Sequence, residues 1–431
     1  MLSRGPAGRY ARRTFESLGT RDFAILLTGT LFAFTAFFMS TVVASIVAFD
    51  LTGRNGAVGL VLLGQGLAMA MLGPVGGAVA DRAPKRLVTG LCQVGAGTVF
   101  FVTAVLVVTD AIAVWHLVAG SFVIGTMFAF MGPARQAWSV ELVSDRLRPN
   151  AVALTQVALN ASRVVAPAVA GFLAGLAMFG PGGAYFVMSG LYAIAVGSLL
   201  FLPGTTAREG PARSVFRDLA AGVRYVAGEP RLRAMMILFF SMIVLGLSAT
   251  AAVLPGFVEH ELDRDVTTIG PLMAVSAVGG LAVSLAVAPM ADSSRALAIY
   301  GTMALIMGAS LTLMGTLPEL TVSFVAMFIY GVGSGGFQTL NMAVVVSECA
   351  PEYYGRVTSL TMLAFAGFML AGFPIGVLAD TIGEASTLMV LGTVIVGIVL
   401  VLAPIIARAP SSRSRRQREA RYAAPAESGV G

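Results

Sequence analysis

Residues 77–109 read GAVADRAPKRLVTGLCQVGAGTVFFVTAVLVVT, and this stretch decides the fold. Its first third carries four charged residues, whereas no charged side chain occurs from Leu87 to Thr109. A helix needs about 20 mostly apolar residues to cross the hydrocarbon core of a bilayer. The stretch therefore predicts a polar loop followed by a membrane-spanning helix, and Asp110 provides the next polar break.

The composition extends this interpretation to the whole chain. Hydrophobic residues make up 57% of the 431 positions, charged residues make up 12%, and the mean hydropathy is +0.86. A soluble domain carries about twice that share of charge. A nucleic-acid-binding protein is therefore not expected, despite the net charge of +6. Cys92 and Cys349 are too few for a disulfide framework, and no cluster of ligating residues indicates a metal site.

Apolar stretches of spanning length recur about twelve times along the chain. They predict an all-α integral membrane protein with twelve transmembrane helices in two pseudo-symmetric six-helix halves. The apolar run from Phe23 is longer than the about 7–15 residues of a signal-peptide core, so we expect it to be retained as the first span. The predicted organisation is a cytoplasmic N-terminal arm at 1–22, an N-terminal half at 23–202, a cytoplasmic linker with an amphipathic helix at 203–232, a C-terminal half at 233–408, and a disordered basic cytoplasmic tail at 409–431.

The basic residues predict the orientation. If the N-terminus is cytoplasmic, all 28 Lys and Arg except Arg54, Arg163 and Arg264 fall on the cytoplasmic side. Cytoplasmic loops of membrane proteins carry an excess of Lys and Arg. We therefore expect a multi-pass protein of the cell (inner) membrane with both termini cytoplasmic. In this assignment Arg135 belongs to the cytoplasmic loop after the fourth span.

The two halves carry acidic residues at matching positions. Asp81 and Asp292 end the second and eighth spans, and Glu141 and Glu348 end the fourth and tenth. Internal repeats are the way in which many transporters build a site between their halves. In addition, the segment Gly77-Ala-Val-Ala-Asp81-Arg82-Ala-Pro-Lys85-Arg86 resembles the loop motif between helices two and three of the major facilitator superfamily.

Further motifs resemble the drug/proton antiporter branch of that superfamily, which includes enterobactin exporters. They are Asp50-Leu-Thr-Gly53, Pro133-Ala-Arg135-Gln136, Glu141-Leu142, Pro149-Asn150-Ala151, Asn160-Ala-Ser-Arg163, Pro167-Ala168 and Gly355-Arg356-Val357. The fifth span departs from the antiporter signature, because it reads Ala166-Pro167 where that signature has Gly-Pro. The resemblance implies a secondary transporter, not an enzyme, that needs no cofactor.

The loop motif predicts a conformational latch on the cytoplasmic side. Asp81 lies at a helix end within plausible reach of the N-terminus of the eleventh span, where a carboxylate is favoured by about 0.3–1 kcal/mol. The basic residues of the motif can pair with Asp81 or Glu141. The latch residues are Gly77, Asp81, Arg82, Lys85, Arg86 and Glu141. The alternative is that these charges only set the orientation of the chain.

Polar residues within the spans are candidates for a substrate cavity. Arg163 lies about 20 Å along the fifth span, at a depth where an arginine is costly unless it faces the protein interior. Asn160 and Gln156 precede it by three and seven residues and can share its face. The complete set is Gln65, Gln156, Asn160, Arg163, Gln338, Asn341, Phe37 and Phe38. The alternatives are a structural arginine, polar side chains that join neighbouring helices, and aromatic side chains that face lipid.

These features predict export of small amphipathic molecules by alternating access, coupled to protons. Asp50 is the candidate coupling residue, because no acidic residue lies clearly at the middle of a span. The expected partners are a small-molecule substrate, protons and the lipid bilayer, without nucleic acid, and the expected state is a monomer. The alternatives are a lipid or lysolipid transporter, an importer of a polar nutrient, and a non-transporting membrane sensor or membrane enzyme.

Overall fold

The computed structural model describes residues 16–176, 180–204, 215–291, 293 and 295–408, without the side chains of residues 81, 215–218, 266, 342, 346, 351, 362 and 407. Over these residues it is all-helical, with twelve helices that are long and apolar enough to cross a membrane. We call them spans 1 to 12: Arg21–Thr52, Asn55–Arg82, Lys85–Val108, Val114–Glu141, Arg148–Gly175, Gly180–Leu199, Pro230–Glu261, Ile269–Val287, Ala296–Thr316, Leu320–Glu348, Tyr354–Ile382 and Glu384–Arg408. The linker helix Val215–Gly228 lies between spans 6 and 7. The predicted fold class and the number of spans are confirmed.

Successive spans run in opposite directions and define two faces. We call the face with the linker helix and the start of span 1 the linker face. There Arg86 of span 3 donates to the carbonyl oxygen of Leu202 at 2.9 Å. The opposite, distal face holds the start of span 2 and the end of span 11, where the backbone N–H of Asn55 donates to Asp380 at 2.8 Å.

Two pairs of spans bring the N-terminal six spans against the C-terminal six. A Cβ added to Gly59 of span 2 would lie 2.4 Å from the carbonyl oxygen of Gly372 on span 11. A Cβ added to Gly171 of span 5 would lie 2.5 Å from Cα of Gly270 on span 8. Small residues allow helix backbones in a membrane to approach this closely. Both contacts lie in the distal half of their spans, so the two halves of the protein are closely packed there.

Span 7 is an irregular helix. Its π-helical turns, Met242–Leu247 and Phe257–Glu261, interrupt the α-helical segments Pro230–Ser241 and Ser248–Gly256. Such turns are rare and are frequent at functional sites. The hydroxyl of Tyr330 on span 10 donates to the carbonyl oxygen of Gly246 at 3.1 Å. The first π-helical turn is therefore held against span 10.

Some boundaries differ from the sequence prediction. The placement of Arg135 in a loop is wrong, because span 4 continues past Pro133 to Glu141 and Arg135 is only 1% exposed within it. A proline within a helix can be accommodated when neighbouring groups satisfy the backbone around it. Most of the N-terminal arm, the tail 409–431, Asp292 and residues 205–214 lie outside the described residues. The domain boundaries stay predictions.

Candidate transport cavity

A cavity of about 180 Å³ lies between the two halves. Spans 1 and 5 of the N-terminal half and spans 7, 8, 10 and 11 of the C-terminal half line it. All of these residues lie in the middle or distal part of their spans. The walls are mostly aliphatic and aromatic, and the polar lining side chains are Thr41, Ser45, Arg163, Thr250, Ser276, Tyr330, Ser334 and Gln338. Arg163 is the charged residue among the described lining residues.

Arg163 reaches the cavity between two aromatic rings. Its guanidinium carbon lies 3.7 Å from the centroid of Phe365 on span 11 and 5.4 Å from that of Phe38 on span 1. Its Nε is buried and, within the described part of the chain, has no hydrogen-bond partner. Arg163 therefore touches both halves of the protein through its ring contacts.

Three of the residues that the sequence predicts for the cavity line it: Phe38, Arg163 and Gln338. Gln338 donates to Ser334 at 3.1 Å on the same helix. Asn160 is exposed and Gln156 is half-buried, and neither is among the lining residues. On span 5 the lining begins at Arg163 and continues towards the distal face, so these two residues lie too close to the linker face.

The other three predicted cavity residues pack within one half. Phe37 is 1% exposed and stacks on Phe128 of span 4, with 3.8 Å between the ring centroids. Asn341 accepts a hydrogen bond from the hydroxyl of Tyr300 at 3.0 Å. Gln65 is 3% exposed on span 2, which contributes no described lining residue. None of the three is among the described lining residues of this cavity, and their part in substrate binding stays a prediction.

The hydroxyl groups of the cavity were not predicted from the sequence. Thr250 of span 7 and Tyr330 of span 10 lie 3.3 Å apart, oxygen to oxygen. Both hydroxyl groups also bond carbonyl oxygens of the first π-helical turn of span 7: that of Tyr330 donates to Gly246, and that of Thr250 donates to Leu247. Ser and Thr within a span were the available signal, but such residues also hydrogen-bond their own helix, as Ser45 does to Thr41 at 2.8 Å.

The predicted latch residues are only partly brought together. The ammonium group of Lys85 lies 3.1 Å from a carboxylate oxygen of Glu141, and Lys85 is buried. Arg82 is exposed, and an added Cβ on Gly77 would meet nothing within 4 Å. The side chain of Asp81 lies outside the described residues. The Lys85–Glu141 pair joins spans 3 and 4, which belong to the same half.

A cluster that the sequence analysis missed joins the halves at the distal face. Asp380 of span 11 accepts hydrogen bonds from the backbone N–H groups of Asn55 and Gly56, at 2.8 and 2.9 Å, at the start of span 2. The side chain of Asn55 donates to Glu384 at 2.8 Å, and His260 lies 2.8 Å from the same carboxylate oxygen. A carboxylate at a helix N-terminus is favoured by the helix dipole. We call Asn55, His260, Asp380 and Glu384 the distal clasp.

Asp50 lies apart from the cavity. It is exposed near the distal end of span 1 and is not among the described residues that line the cavity. Its role as the coupling residue stays a prediction.

Comparison with known proteins places this architecture in a family. The family model for the Major Facilitator Superfamily matches residues 26–367. The chain belongs to this superfamily. It is 24% identical over 381 residues to the uncharacterized MFS-type transporter YfiS of Bacillus subtilis, which covers 83% of this chain and 87% of YfiS. This member of the superfamily is therefore a multi-pass membrane transporter and not an enzyme.

Two further relatives have names that describe their cargo. The multidrug efflux pump Tap of Mycolicibacterium fortuitum is 26% identical over 58% of this chain and 62% of Tap. The Staphyloferrin A transporter of Staphylococcus aureus is 23% identical over 80% of this chain and 86% of its own length.

The fold is similar to that of a solved bacterial homolog of the human lysosomal transporter Spinster, in an inward-facing and unoccupied conformation. The TM-score is 0.68 at 15% identity, and the match covers 92% of this chain and 98% of that chain. A POT family transporter in complex with a thioalcohol conjugated peptide has a TM-score of 0.69 at 14% identity, with 90% and 97% covered. At these identities the structures establish the shared fold alone.

Proposed function

We propose that this protein exports small amphipathic molecules, such as a drug, siderophore or secondary metabolite, by alternating access, and that proton movement drives the cycle. The observation that carries the proposal is the cavity between the two halves. Its walls combine aliphatic and aromatic side chains with a few hydroxyl groups and one guanidinium. Apolar pockets with a few convergent polar groups are typical sites for small molecules.

The proposed direction of transport rests on the names of relatives, interpreted in the orientation that the basic residues favour. The excess of Arg on the linker face favours a cytoplasmic linker face, because positive residues are retained inside. The halves are packed together at the distal face, so the cavity is closed on that side in the described conformation. The name of the relative Tap supports export, and that of the Staphyloferrin A transporter supports siderophore-like cargo. Within the superfamily we place the protein near the drug/proton antiporter branch.

The proposal is tested in inside-out membrane vesicles that contain the full chain. The probes are three compounds with one dansyl fluorophore, which carry a carboxylate, an amide or an ammonium group. We expect accumulation of at least one probe when the vesicle interior is acidified, and its loss when a protonophore is added. Vesicles without the protein serve as the control.

Two outcomes contradict the proposed export. One is the absence of gradient-dependent accumulation of all three probes. The other is net movement of a probe only in the opposite direction, which would support an importer. In the same vesicles, Asp50→Asn tests the coupling residue: an unchanged pH dependence of accumulation would remove Asp50 from that role.

A further inference from the structure

We infer that the cavity selects amphipathic anions and that Arg163 recognises their carboxylate, sulfonate or phosphate group. The inference rests on the proposed function in taking the cavity as the substrate site. Beyond the proposed function, it specifies that the substrate is negatively charged and that Arg163 binds its charged group. The contacts of Arg163 carry the argument.

The two ring contacts of Arg163 leave its N–H groups without a hydrogen-bond acceptor among the described residues. A cation over an aromatic ring is attracted by the negative face of the ring, and Phe365 and Phe38 provide such faces at 3.7 and 5.4 Å. The N–H groups of arginine point outwards in the plane of the guanidinium. That planar edge matches the two oxygens of a carboxylate, sulfonate or phosphate group. The rings thus hold the side chain while leaving its N–H groups for a ligand.

Within the described part of the chain, the charge of Arg163 has no counter-ion. No described residue forms an ion pair with it, and no acidic side chain is among the described lining residues. An unpaired charge at membrane depth is costly, so such a residue is a candidate for a functional site. Electrostatic interactions are also stronger where water is scarce. A bound anion would supply the missing counter-charge, and a bound cation would be repelled.

Arg135 provides an internal comparison. Arg135 is 1% exposed, and its three guanidinium nitrogens have no hydrogen-bond partner in the described part of the chain. It packs against span 1, where a Cβ added to Gly29 would lie 3.3 Å from one of its nitrogens, and it is not among the described cavity-lining residues. An unpaired arginine is therefore not sufficient for a site. Arg163 differs because it reaches a cavity that also offers apolar walls for the rest of an amphipathic ligand.

The test measures binding of the three dansyl probes to the purified full chain in lipid nanodiscs, with empty nanodiscs subtracted. We expect the carboxylate probe to bind at least about tenfold more tightly than the amide probe, as for a charge-assisted hydrogen bond. The ammonium probe should bind most weakly. Arg163→Met should raise the Kd of the carboxylate probe at least about tenfold and change that of the amide probe by less than about threefold.

Two further variants distinguish the effect of the positive charge from the effects of guanidinium geometry and of cavity polarity. Arg163→Lys keeps the charge but loses the planar edge, so the carboxylate preference should weaken but persist. Gln338→Leu removes a polar lining group without changing charge and should affect the three probes by similar factors. If Arg163→Met does not fold, as judged by size-exclusion chromatography and thermal unfolding, Arg163→Gln takes its place.

The inference is overturned if the parent protein binds the three probes alike, prefers the ammonium probe or binds none of them. It is also overturned if the carboxylate preference persists when the charge of Arg163 is removed. Vesicles distinguish this failure from that of the proposed function. Accumulation of the amide or ammonium probe without the carboxylate probe would leave the exporter standing and refute anion selection. An intact binding preference without accumulation would refute only the transport proposal.

Discussion

The two faces of the molecule differ in which helices their polar side chains connect. At the distal face, Asp380 and Glu384 of the C-terminal half accept hydrogen bonds from Asn55 of the N-terminal half. At the linker face, Lys85 pairs with Glu141 within the N-terminal half, and Arg231 pairs with Glu348 within the C-terminal half. The polar contacts of the distal face therefore hold the halves together, whereas these ion pairs of the linker face stabilise each half separately.

This difference has a consequence for a protein that must open each face in turn. Opening the distal face has to break the distal clasp and separate the glycine contacts beneath it. Opening the linker face does not have to break either of the two ion pairs described there. Substitutions at the two faces should therefore change the balance between conformations by different amounts and in different directions.

One reporter measures this balance. Ser45 lines the cavity and is buried beneath the distal face. In a background with Cys92 and Cys349 replaced by serine, Ser45→Cys reports opening through its reaction rate with a membrane-impermeant thiol reagent added on the distal side. The parent protein should react slowly, because the halves are packed together on that side.

The largest effect is expected for Gly59→Leu. The added side chain would collide with the backbone of Gly372, and overpacking of this kind typically costs about 1–3 kcal/mol or more. The distal face can then no longer close, so the distal labelling rate should rise more than about thirtyfold and transport should almost cease. Gly73→Leu on the same span is the matched control, because a Cβ added there meets nothing within 4 Å. Equal behaviour of the two variants would refute the role of this contact.

A smaller effect in the same direction is expected for Asp380→Asn. The substitution removes the carboxylate at the start of span 2, which should destabilise the closed distal face by about 1–2 kcal/mol. The labelling rate should rise about five- to thirtyfold. Glu319→Gln is the control, since Glu319 is an exposed acid at the distal start of span 10. A labelling rate that matches the parent would show that the clasp does not hold the halves together.

Features that depend on local sequence could be predicted, whereas contacts between the two halves could not. Hydropathy located the twelve spans, and the charge deep within span 5 pointed to Arg163, because both signals are local. The hydrogen bond between Asn55 and Asp380 joins residues 325 positions apart, and each looks like an ordinary polar residue at a helix end.

The polarity of a residue within a span also does not predict whether its side chain faces the cavity or a neighbouring helix. Gln338 and Asn341 lie on the same helix, yet one lines the cavity and the other bonds Tyr300. The π-helical turns of span 7 have no sequence marker either, because they depend on contacts such as that between Tyr330 and Gly246.

Asp81→Asn should have the opposite effect to Asp380→Asn. Asp81 lies in the last turn of span 2 at the linker face, where we propose that its charge favours closure of that face. Removing the charge should shift the equilibrium by about 1 kcal/mol towards the distal-closed form, so distal labelling should slow about fivefold. Transport should also fall, because the cycle needs both conformations.

Membrane insertion of Asp81→Asn should be unchanged, since acidic residues contribute little to orientation. Asp145→Asn is the control, because Asp145 pairs with Arg148 within its own half. If labelling and transport match the parent in both variants, the loop motif only sets the orientation.

The smallest effect on distal labelling is expected for Glu141→Gln. Its partner Lys85 is 3% exposed, so loss of the carboxylate leaves a buried ammonium group without its ion-pair partner. Unfolding of the N-terminal half should become easier by about 1–3 kcal/mol, less than for a fully buried pair because Glu141 is partly exposed. The measurement is thermal unfolding in nanodiscs, and the exchanged pair Lys85→Glu with Glu141→Lys should recover part of the loss.

Distal labelling of Glu141→Gln should stay within about twofold of the parent, because the pair does not cross between the halves. A change as large as that of Asp380→Asn would mean that spans 3 and 4 move against each other when the protein opens, and the division between the two faces would no longer hold.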